Sequence, residues 1–322
     1  MLLLSQESII KTVNLDEMIS VIENAMLFAD GGNFEMPLRI SVSLNEKDSL
    51  MLMPCITPDA WGCKLLTLRS DNPIKGLPFI DGAVILFDET TGKPKALLEG
   101  KTVTAIRTGA IGGAGIKNTA PDDITSLGLV GAGAQGYWQA QYGCVAKKNI
   151  KEVWVYDSFM ENLSSFKERL QAVLPDKSIN IANNTSELLA NTQAVMTATP
   201  SKQPVFPNDA RLLADHAFSG IGSYTPEMRE YPDTLFELVG SGVYIDTPHA
   251  LKETGDLITP MKNGLLKQEN IHTLSELISG KSKKTSSTTF FKSVGMALFD
   301  LVCADYLCGK AKGKGIGVVV DF

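Results

Sequence analysis

The first third of the chain shows two kinds of hydrophobic pattern. Apolar residues recur at helical spacing from Gln6 to Ala29, which predicts a helix that ends at the glycine pair beginning at Gly31. Between Arg39 and Leu98, short apolar and β-branched runs alternate with turn residues, which is typical of a meander of antiparallel strands. An alanine- and glycine-rich run at 102–116 has helical spacing again. The pattern therefore predicts a helix, a meander and a second helix.

After a turn at 121–123 the rhythm changes. Short apolar runs now alternate with helical or loop stretches, which indicates parallel β-α-β units. The predicted strands are 126–130, 153–156, 179–182, 194–197, 216–221 and 242–246. A helical pattern follows at 294–307. We expect an α/β protein with a domain boundary near residue 122, in which the last part of the chain returns to the first domain.

Composition narrows the classes of function. The 322 residues suffice for two domains, and the formal net charge of −6 argues against nucleic acid or an anionic membrane as a partner. No apolar stretch approaches the length of a membrane span, and the first residues do not resemble a targeting segment. The 5 cysteines form no C-x-x-C pair and, with 3 scattered histidines, predict a cytoplasmic protein without a metal site.

A glycine motif carries the clearest chemical signal. Gly131, Gly133 and Gly136 form G-x-G-x-x-G directly after a predicted strand and before a helical run. Such a loop lets a pyrophosphate approach the backbone at a helix N-terminus. Asp157 ends the next strand, about 20 residues further on, where an acidic residue contacts the adenosine ribose. The alternative is a glycine-rich turn in a sheet that binds no nucleotide.

Asp157 also bears on the choice of cofactor. A carboxylate accepts a hydrogen bond from the ribose 2′-hydroxyl of NADH but repels the extra phosphate of NADPH. The three residues that follow supply no arginine for that phosphate. The sequence favours NADH over NADPH, unless Asp157 only caps the next helix.

Three cations stand out in the first domain. Lys64 lies within an apolar run, where an ammonium needs an anionic partner or a shifted pKa. Arg107 interrupts a run of small helical residues, where its guanidinium could hold a carboxylate by two bonds. Arg39 is the third. Internal salt bridges are the alternative interpretation of Lys64 and Arg107.

The chain resembles the ornithine cyclodeaminase/mu-crystallin family across nearly its whole length. The ordered motifs that carry this resemblance begin at Met36, Gly62, Gly76, Asp88, Leu98, Thr104, Gly131, Gly222 and Phe291. The resemblance implies a substrate-binding and dimerisation domain at 1–121 and 300–322, a Rossmann dinucleotide-binding domain at 122–299, and a homodimer. It implies that Arg39, Lys64 and Arg107 bind the substrate carboxylate and act at the reacting centre, with Tyr224 and Val294 beside the substrate. The cofactor contacts that it implies are Arg107, Thr108, Gly131, Gly133, Ala134, Gln135, Asp157, Thr197 and Ser293.

The branch of the family depends on Tyr224. Cyclodeaminases and related alanine dehydrogenases carry an aspartate here as an acid/base, whereas tyrosine, with a pKa near 10, is a poor base at neutral pH. Phe79 likewise replaces a threonine. These departures resemble the reductases of cyclic ketimines, which reduce Δ1-pyrroline-2-carboxylate to L-proline and its six-membered homologue Δ1-piperideine-2-carboxylate to L-pipecolate. Ornithine cyclodeaminase, an alanine-type dehydrogenase and a non-catalytic mu-crystallin-like binding protein are the alternatives.

Overall fold

The chain divides into two compact units. The computed structural model describes the backbone of Met1–Phe322 and every side chain except those of Pro73 and Asn162. The N-terminal unit comprises Met1–Arg107 and Met296–Phe322, and the central unit comprises Thr108–Gly295. Each division between the two units thus lies some residues before the domain boundary expected from the sequence. The first division lies inside a helix. The roles expected for the two domains stay predictions.

The secondary structure follows the two patterns of the sequence. The strands are β1 (Leu2–Leu4), β2 (Ile40–Ser43), β3 (Ser49–Ile56), β4 (Trp61–Leu68), β5 (Ile80–Phe87), β6 (Pro94–Glu99), β7 (Ser126–Val130), β8 (Glu152–Tyr156), β9 (Ser178–Ile181), β10 (Ala194–Thr197), β11 (Ala217–Gly220), β12 (Val243–Ile245), β13 (Ile271–Thr273), β14 (Thr289–Lys292) and β15 (Val318–Val319). The helices are α1 (Gln6–Thr12), α2 (Leu15–Ala29), α3 (Gly100–Thr119), α4 (Ala134–Ala146), α5 (Leu163–Val173), α6 (Thr185–Ala190), α7 (Ala210–Leu213), α8 (Asp233–Leu238), α9 (Ala250–Glu253), α10 (Gly255–Lys262), α11 (Leu274–Ile278) and α12 (Ala297–Lys314). Short 3₁₀ turns occur at Pro73–Lys75, Met160–Asn162 and Gln268–Asn270.

A mixed sheet forms the N-terminal unit. In the described backbone it has 7 strands in the order β15-β1-β6-β5-β4-β3-β2. Strands β2 to β6 pair with their neighbours antiparallel, which confirms the predicted meander. Sequence reasoning missed β1, which pairs parallel to β6, and β15, which pairs antiparallel to β1. Helix α12 packs against β3, β4 and β5, so one face of the meander is covered.

The first predicted helix is wrong in one respect, because the structure has two helices there. Val13 is extended, with ψ of 137°, and its N–H still bonds to the Ile9 carbonyl. The Asn14 side chain then accepts a hydrogen bond from the Glu17 N–H and starts α2. An asparagine cap satisfies a free N–H of the new helix, and this local bond interrupts a continuous apolar pattern.

The central unit is a Rossmann-type α/β fold. Its sheet runs β13-β12-β14-β11-β10-β7-β8-β9 in the described backbone, and all of its pairs are parallel. The six predicted strands all form, as β7 to β12. Strand order reverses between β7 and β10, and ligands of such sheets bind beyond the carboxyl ends of the strands at this point.

Strand β14 and helix α12 correct the sequence analysis further along the chain. Strand β14 is fully buried between β11 and β12, although it directly follows a polar loop and was not predicted. Helix α12 begins at Ala297 and ends at Lys314, where Gly315 adopts a left-handed φ of 65°. The predicted helix of 294–307 therefore begins too early and ends too early. Within the described residues, no helix is long and apolar enough to cross a membrane.

Candidate active site

The glycine loop of the central unit has the geometry of a phosphate cradle. Gly131 follows the buried strand β7 with φ of +105°, a conformation that other residues rarely adopt. A Cβ at Gly136 would lie 1.9 Å from the Gly131 carbonyl oxygen, so α4 packs closely on the loop. Gly133 instead faces open space, with no atom within 4 Å of a Cβ placed there. It is also the N-cap of α4, so it has no side chain to satisfy the first free N–H groups. The loop therefore suits an anion at the helix N-terminus.

Asp157 holds this loop. Its Oδ2 accepts a hydrogen bond from the Ala132 N–H at 2.7 Å, and its Oδ1 accepts one from the Phe159 N–H at 2.9 Å. The N-cap position of the next 3₁₀ turn is Phe159, so the alternative that Asp157 only caps a helix is not supported. Each carboxylate oxygen has lone pairs left for a ribose hydroxyl.

A cavity of about 410 Å³ opens beside the loop, a size that suits a small-molecule ligand. All its lining residues belong to the central unit: Val130, Gly131, Gly133, Tyr156, Asp157, Ser158, Phe159, Ala198, Thr199, Pro200, Ser201 and Val205. Gln135, in the first turn of α4, has a buried Oε1 without a hydrogen-bond partner among the described residues. An open phosphate cradle, a carboxylate near the loop and an unsatisfied amide oxygen together fit a dinucleotide.

Other predicted cofactor residues lie in different surroundings. Thr197 is fully buried in β10, its hydroxyl is 3.0 Å from the Tyr231 hydroxyl, and it does not line the cavity; Thr199 does. Thr108 is buried, and its carbonyl accepts a hydrogen bond from Gln139. Ala134 is the first residue of α4. Thr199 lies two residues after Thr197, beyond the end of β10, and sequence reasoning missed it.

The turn after β14 is held by an acidic residue that sequence reasoning missed. Asp246 Oδ2 accepts hydrogen bonds from the Ser293 hydroxyl at 2.6 Å, the Val294 N–H at 3.1 Å and the Gly295 N–H at 2.8 Å. Ser293 is buried and Val294 is half-buried. Tyr224 lies in the loop after β11 and is 44% exposed. Asp246 follows β12, whose predicted strand end was the signal that could have pointed to it.

The second cluster of functional groups is in the N-terminal unit. Lys64 on β4 and Arg107 on α3 both contact Asp300 on α12. Lys64 Nζ lies 2.7 Å from Asp300 Oδ2, and Arg107 Nε lies 2.9 Å from Asp300 Oδ1. All three side chains are buried. The interpretation of both cations as internal salt bridges is thus correct in part, but one carboxylate balances only one of the two cations.

Arg39 adds to this positive charge. It immediately precedes β2, which pairs with β3, and β3 in turn pairs with β4, the strand that carries Lys64. The charge of Arg39 also acts on the pKa of Lys64. We call Arg39, Lys64, Arg107 and Asp300 the cation cluster.

Burial and charge set the protonation of this cluster. Burial lowers the pKa of Lys64 to about 8; Asp300 opposes this shift, while Arg107 and Arg39 add to it. Burial alone would raise the pKa of Asp300, but Arg107 and Lys64 outweigh it and lower that pKa. At neutral pH the cluster therefore combines three cations with one carboxylate, which suits an anionic ligand. Among the described residues, no group of three or more His, Cys, Asp or Glu side chains could hold a metal ion.

The sequence profile of the ornithine cyclodeaminase/mu-crystallin family matches residues 1–315. The chain belongs to this family. A curated relative from Bacillus cereus, named Delta(1)-pyrroline-2-carboxylate reductase, is 32% identical over 329 aligned positions that span 100% of both chains.

Solved structures extend this family relationship to the fold. The Delta(1)-pyrroline-2-carboxylate reductase of Thermococcus litoralis, solved in complex with NADH and L-proline, is 30% identical with a TM-score of 0.90, covering 99% of this chain and 100% of that one. An archaeal alanine dehydrogenase dimer with bound NAD is 25% identical with a TM-score of 0.88, covering 100% and 99%. The family resemblance and the Rossmann-type fold predicted from the sequence are confirmed.

Proposed function

We propose that this chain is an NADH-dependent reductase of cyclic ketimine carboxylates, which converts Δ1-pyrroline-2-carboxylate to L-proline. The observation that carries the proposal is the cation cluster, in which Lys64 and Arg107 share the single buried carboxylate of Asp300. Such a cluster suits a substrate with a carboxylate next to its reacting carbon. The named activity of the Bacillus cereus and Thermococcus litoralis relatives supports this choice of substrate.

The proposed chemistry assigns a role to each cation. Arg107 and Arg39 bind the substrate carboxylate, and Lys64 lies beside the imine nitrogen, where its ammonium stabilises or supplies the proton. NADH, when bound, supplies the hydride that reduces the C=N carbon. The C=N bond becomes a C–N single bond, with one hydride on carbon and one proton on nitrogen. The same groups act on Δ1-piperideine-2-carboxylate, which differs by one ring methylene.

The proposed dinucleotide contacts lie in the central unit, except for Arg107, which belongs to the N-terminal unit. The N–H groups at the start of α4, near Ala134 and Gln135, bind the pyrophosphate, and Asp157 accepts from the ribose 2′-hydroxyl. Ser293, Thr108 and Arg107 complete the proposed contacts, and Thr199 replaces Thr197 because it lines the cavity. Val294 and Tyr224 remain proposed substrate neighbours. We propose NADH rather than NADPH because of the charge of Asp157.

Ornithine cyclodeaminase activity is the alternative to test. That reaction needs a base for the amine and for the attacking water, and Tyr224 stands where the family's aspartate acts. We expect no ammonia when the protein is incubated with L-ornithine and NAD. Ammonia release at a rate comparable with imine reduction would contradict the proposal.

The pH dependence of the reaction should report Lys64. Its pKa is lowered to about 8, so the cationic form is present below this pH and is lost as the pH rises through it. We expect kcat/KM to fall about tenfold per pH unit above about 8. The comparison is the Kd of NADH over the same range, which should change little. A kcat/KM that stays constant well above this pH would remove Lys64 as the proton source.

Replacement of Asp157 should shift the cofactor preference. In Asp157→Asn the amide oxygen can still accept from Ala132, but the charge that repels the 2′-phosphate is lost. We expect the ratio of kcat/KM for NADH over NADPH to narrow by about tenfold or more. Asp209→Asn, at the N-terminus of α7, is the matched control and should leave the ratio unchanged. An unaltered ratio in Asp157→Asn would mean that this carboxylate does not select the cofactor.

We also propose a homodimer formed through the exposed face of β2. Ile40 and Val42 on this edge strand, together with Leu38 and Leu44 just beyond its ends, are 47–70% exposed. The archaeal alanine dehydrogenase relative is a dimer. Sedimentation equilibrium should give about twice the chain mass of 34.7 kDa, and Val42→Lys should give the single-chain mass. Val319→Lys, on the opposite edge strand, is the control. A single-chain mass for the unmodified protein would contradict the dimer.

The cytoplasm is the proposed location. Cys55, Cys63, Cys144, Cys303 and Cys308 are all free thiols, which suits a reducing compartment. Titration of the unfolded protein, purified without reductant, should find all of them reactive. A shortfall from disulfides would contradict this location.

A further inference from the structure

A buried group of charges lies in the central unit apart from the glycine loop. Lys292, at the end of β14, is fully buried, and so are Glu230 and Asp256. Lys292 Nζ lies 3.1 Å from Asp256 Oδ2 and 3.8 Å from Glu230 Oε2. Burying a charge away from water destabilises a protein unless the charge is paired and hydrogen-bonded, so the presence of these three groups calls for a structural or functional explanation.

Glu230 joins two loops that follow neighbouring parallel strands. Its Oε1 accepts from the Thr199 N–H at 2.8 Å and from the Thr199 hydroxyl at 2.9 Å. Its Oε2 accepts from the Gly222 N–H at 2.9 Å and the Ser223 N–H at 3.2 Å. Thr199 follows β10 and lines the dinucleotide cavity, whereas Gly222 and Ser223 follow β11, do not line the cavity and lead directly to Tyr224.

The approach of the two loops is close. A Cβ at Gly222 would lie 2.2 Å from the Thr199 carbonyl oxygen and 2.5 Å from Glu230 Oε1. The loop after β11 therefore cannot move closer to Thr199. Glycine at this position allows the contact, and the Glu230 carboxylate holds it in place.

Asp256 and Lys292 hold Glu230 in turn. Asp256 Oδ1 accepts from the Glu230 N–H at 2.7 Å and from the Tyr231 N–H at 3.1 Å. Burial raises the pKa of Glu230, and the Asp256 carboxylate adds to this rise, while the Lys292 ammonium and the hydrogen bonds from Thr199 oppose it. Three backbone N–H groups point at Glu230, and N–H groups donate only, so they favour its charged, accepting form.

We propose that Glu230 is a positioning residue that couples dinucleotide binding at Thr199 to the conformation of the loop that carries Tyr224. The coupling rests on the proposed function only in taking NADH as the ligand of the cavity. A dinucleotide that contacts Thr199 orders the carboxylate, and the carboxylate orders the Gly222 and Ser223 amides. The reductase thereby sets the Tyr224 loop for its imine substrate once the cofactor is in place.

Hydrogen exchange of the unmodified protein tests the coupling without any substitution. NADH should slow exchange of the Gly222 and Ser223 amides at least about tenfold, although neither residue lines the cavity. NADH binding is measured on the same sample by fluorescence. Failure to bind NADH would overturn the proposed function, whereas binding without slower exchange at these two amides would overturn the coupling alone.

The variant Glu230→Gln supplies a second test. Glutamine has one oxygen, and its amide NH₂ would face either the Thr199 donors or the Gly222 and Ser223 donors. We expect NADH to bind about tenfold more weakly and to lose its effect on exchange at Gly222 and Ser223.

The control variant for this test is Leu170→Ala. It removes buried core volume from α5, which takes no part in the charge network. It should lower the melting temperature while the Kd of NADH and the exchange effect persist. If Leu170→Ala also bound NADH more weakly and lost the effect of NADH on exchange, the behaviour of Glu230→Gln would reflect a general loss of stability and not the coupling.

Discussion

Replacement of Lys64 by alanine is expected to abolish imine reduction while NADH still binds. The variant removes the ammonium that we place at the imine nitrogen and part of the charge that holds the substrate carboxylate. We expect kcat/KM to fall about 10³-fold or more. Lys64 does not line the dinucleotide cavity, so the Kd of NADH should change by less than about twofold. Steady-state kinetics and NADH fluorescence titration measure the two effects.

Lys95→Ala is the matched control for this prediction. Lys95 lies on β6 of the same sheet and also pairs with α12, through Asp305 at 2.8 Å, but both partners reach solvent. Its loss should leave kcat/KM nearly unchanged. An active Lys64→Ala variant, or equal losses in the two variants, would remove Lys64 from the reacting centre.

The variant Asp300→Asn is expected to destabilise the protein and to inactivate it. Asparagine keeps the shape of the side chain but leaves Lys64 and Arg107 buried near each other without an anion. Loss of one partner of a buried ion pair costs about 3–5 kcal/mol, so we expect the free energy of unfolding to fall by that amount. Without Asp300, the pKa of Lys64 falls further, because the opposing interaction with this carboxylate is gone. Denaturant titration and the kcat/KM profile against pH measure these effects.

Asp305→Asn separates this effect from that of any acidic residue on α12. Asp305 is about 40% exposed and pairs with Lys95, so its loss should cost at most about 1 kcal/mol. Similar losses of stability in the two variants would mean that Asp300 is not the counter-ion of a buried cation cluster.

The local pattern of hydrophobic and polar residues was sufficient to predict much of this architecture. Strand alternation between 39 and 98 predicts the antiparallel meander, and the later alternation of strands and helices predicts the parallel sheet. The glycine loop and Asp157 are close in sequence and share one β-α-β unit, so their spacing alone brings them together. Strands β1 and β15 are too short to show any period, and they form through pairing with distant parts of the chain, β1 with β6 and β15 with β1.

The groups that sequence reasoning missed act over long separations. Asp300 is one acidic residue in an otherwise apolar helix start, and 236 positions separate it from Lys64. Its apolar neighbours set it apart, as they do for Lys64, but the local pattern does not show which cations it pairs with. Glu230 and Asp246 likewise accept hydrogen bonds from loops that follow strands of the parallel sheet. Which loops lie side by side depends on the order of the strands in the sheet, and the spacing of residues along the chain does not reveal that order. The local sequence singled out Lys64 and Arg107 as candidates and the resemblance implied their roles, while their shared counter-ion required the structure.

The most direct test of the proposed function is the oxidation of NADH by purified protein with Δ1-pyrroline-2-carboxylate. NADH absorbance should fall in proportion to imine added, with one L-proline formed per NADH consumed, and NADPH should serve less well. Unchanged NADH absorbance in the presence of the imine, together with L-proline and ammonia formed from L-ornithine and NAD, would contradict the account and identify a cyclodeaminase.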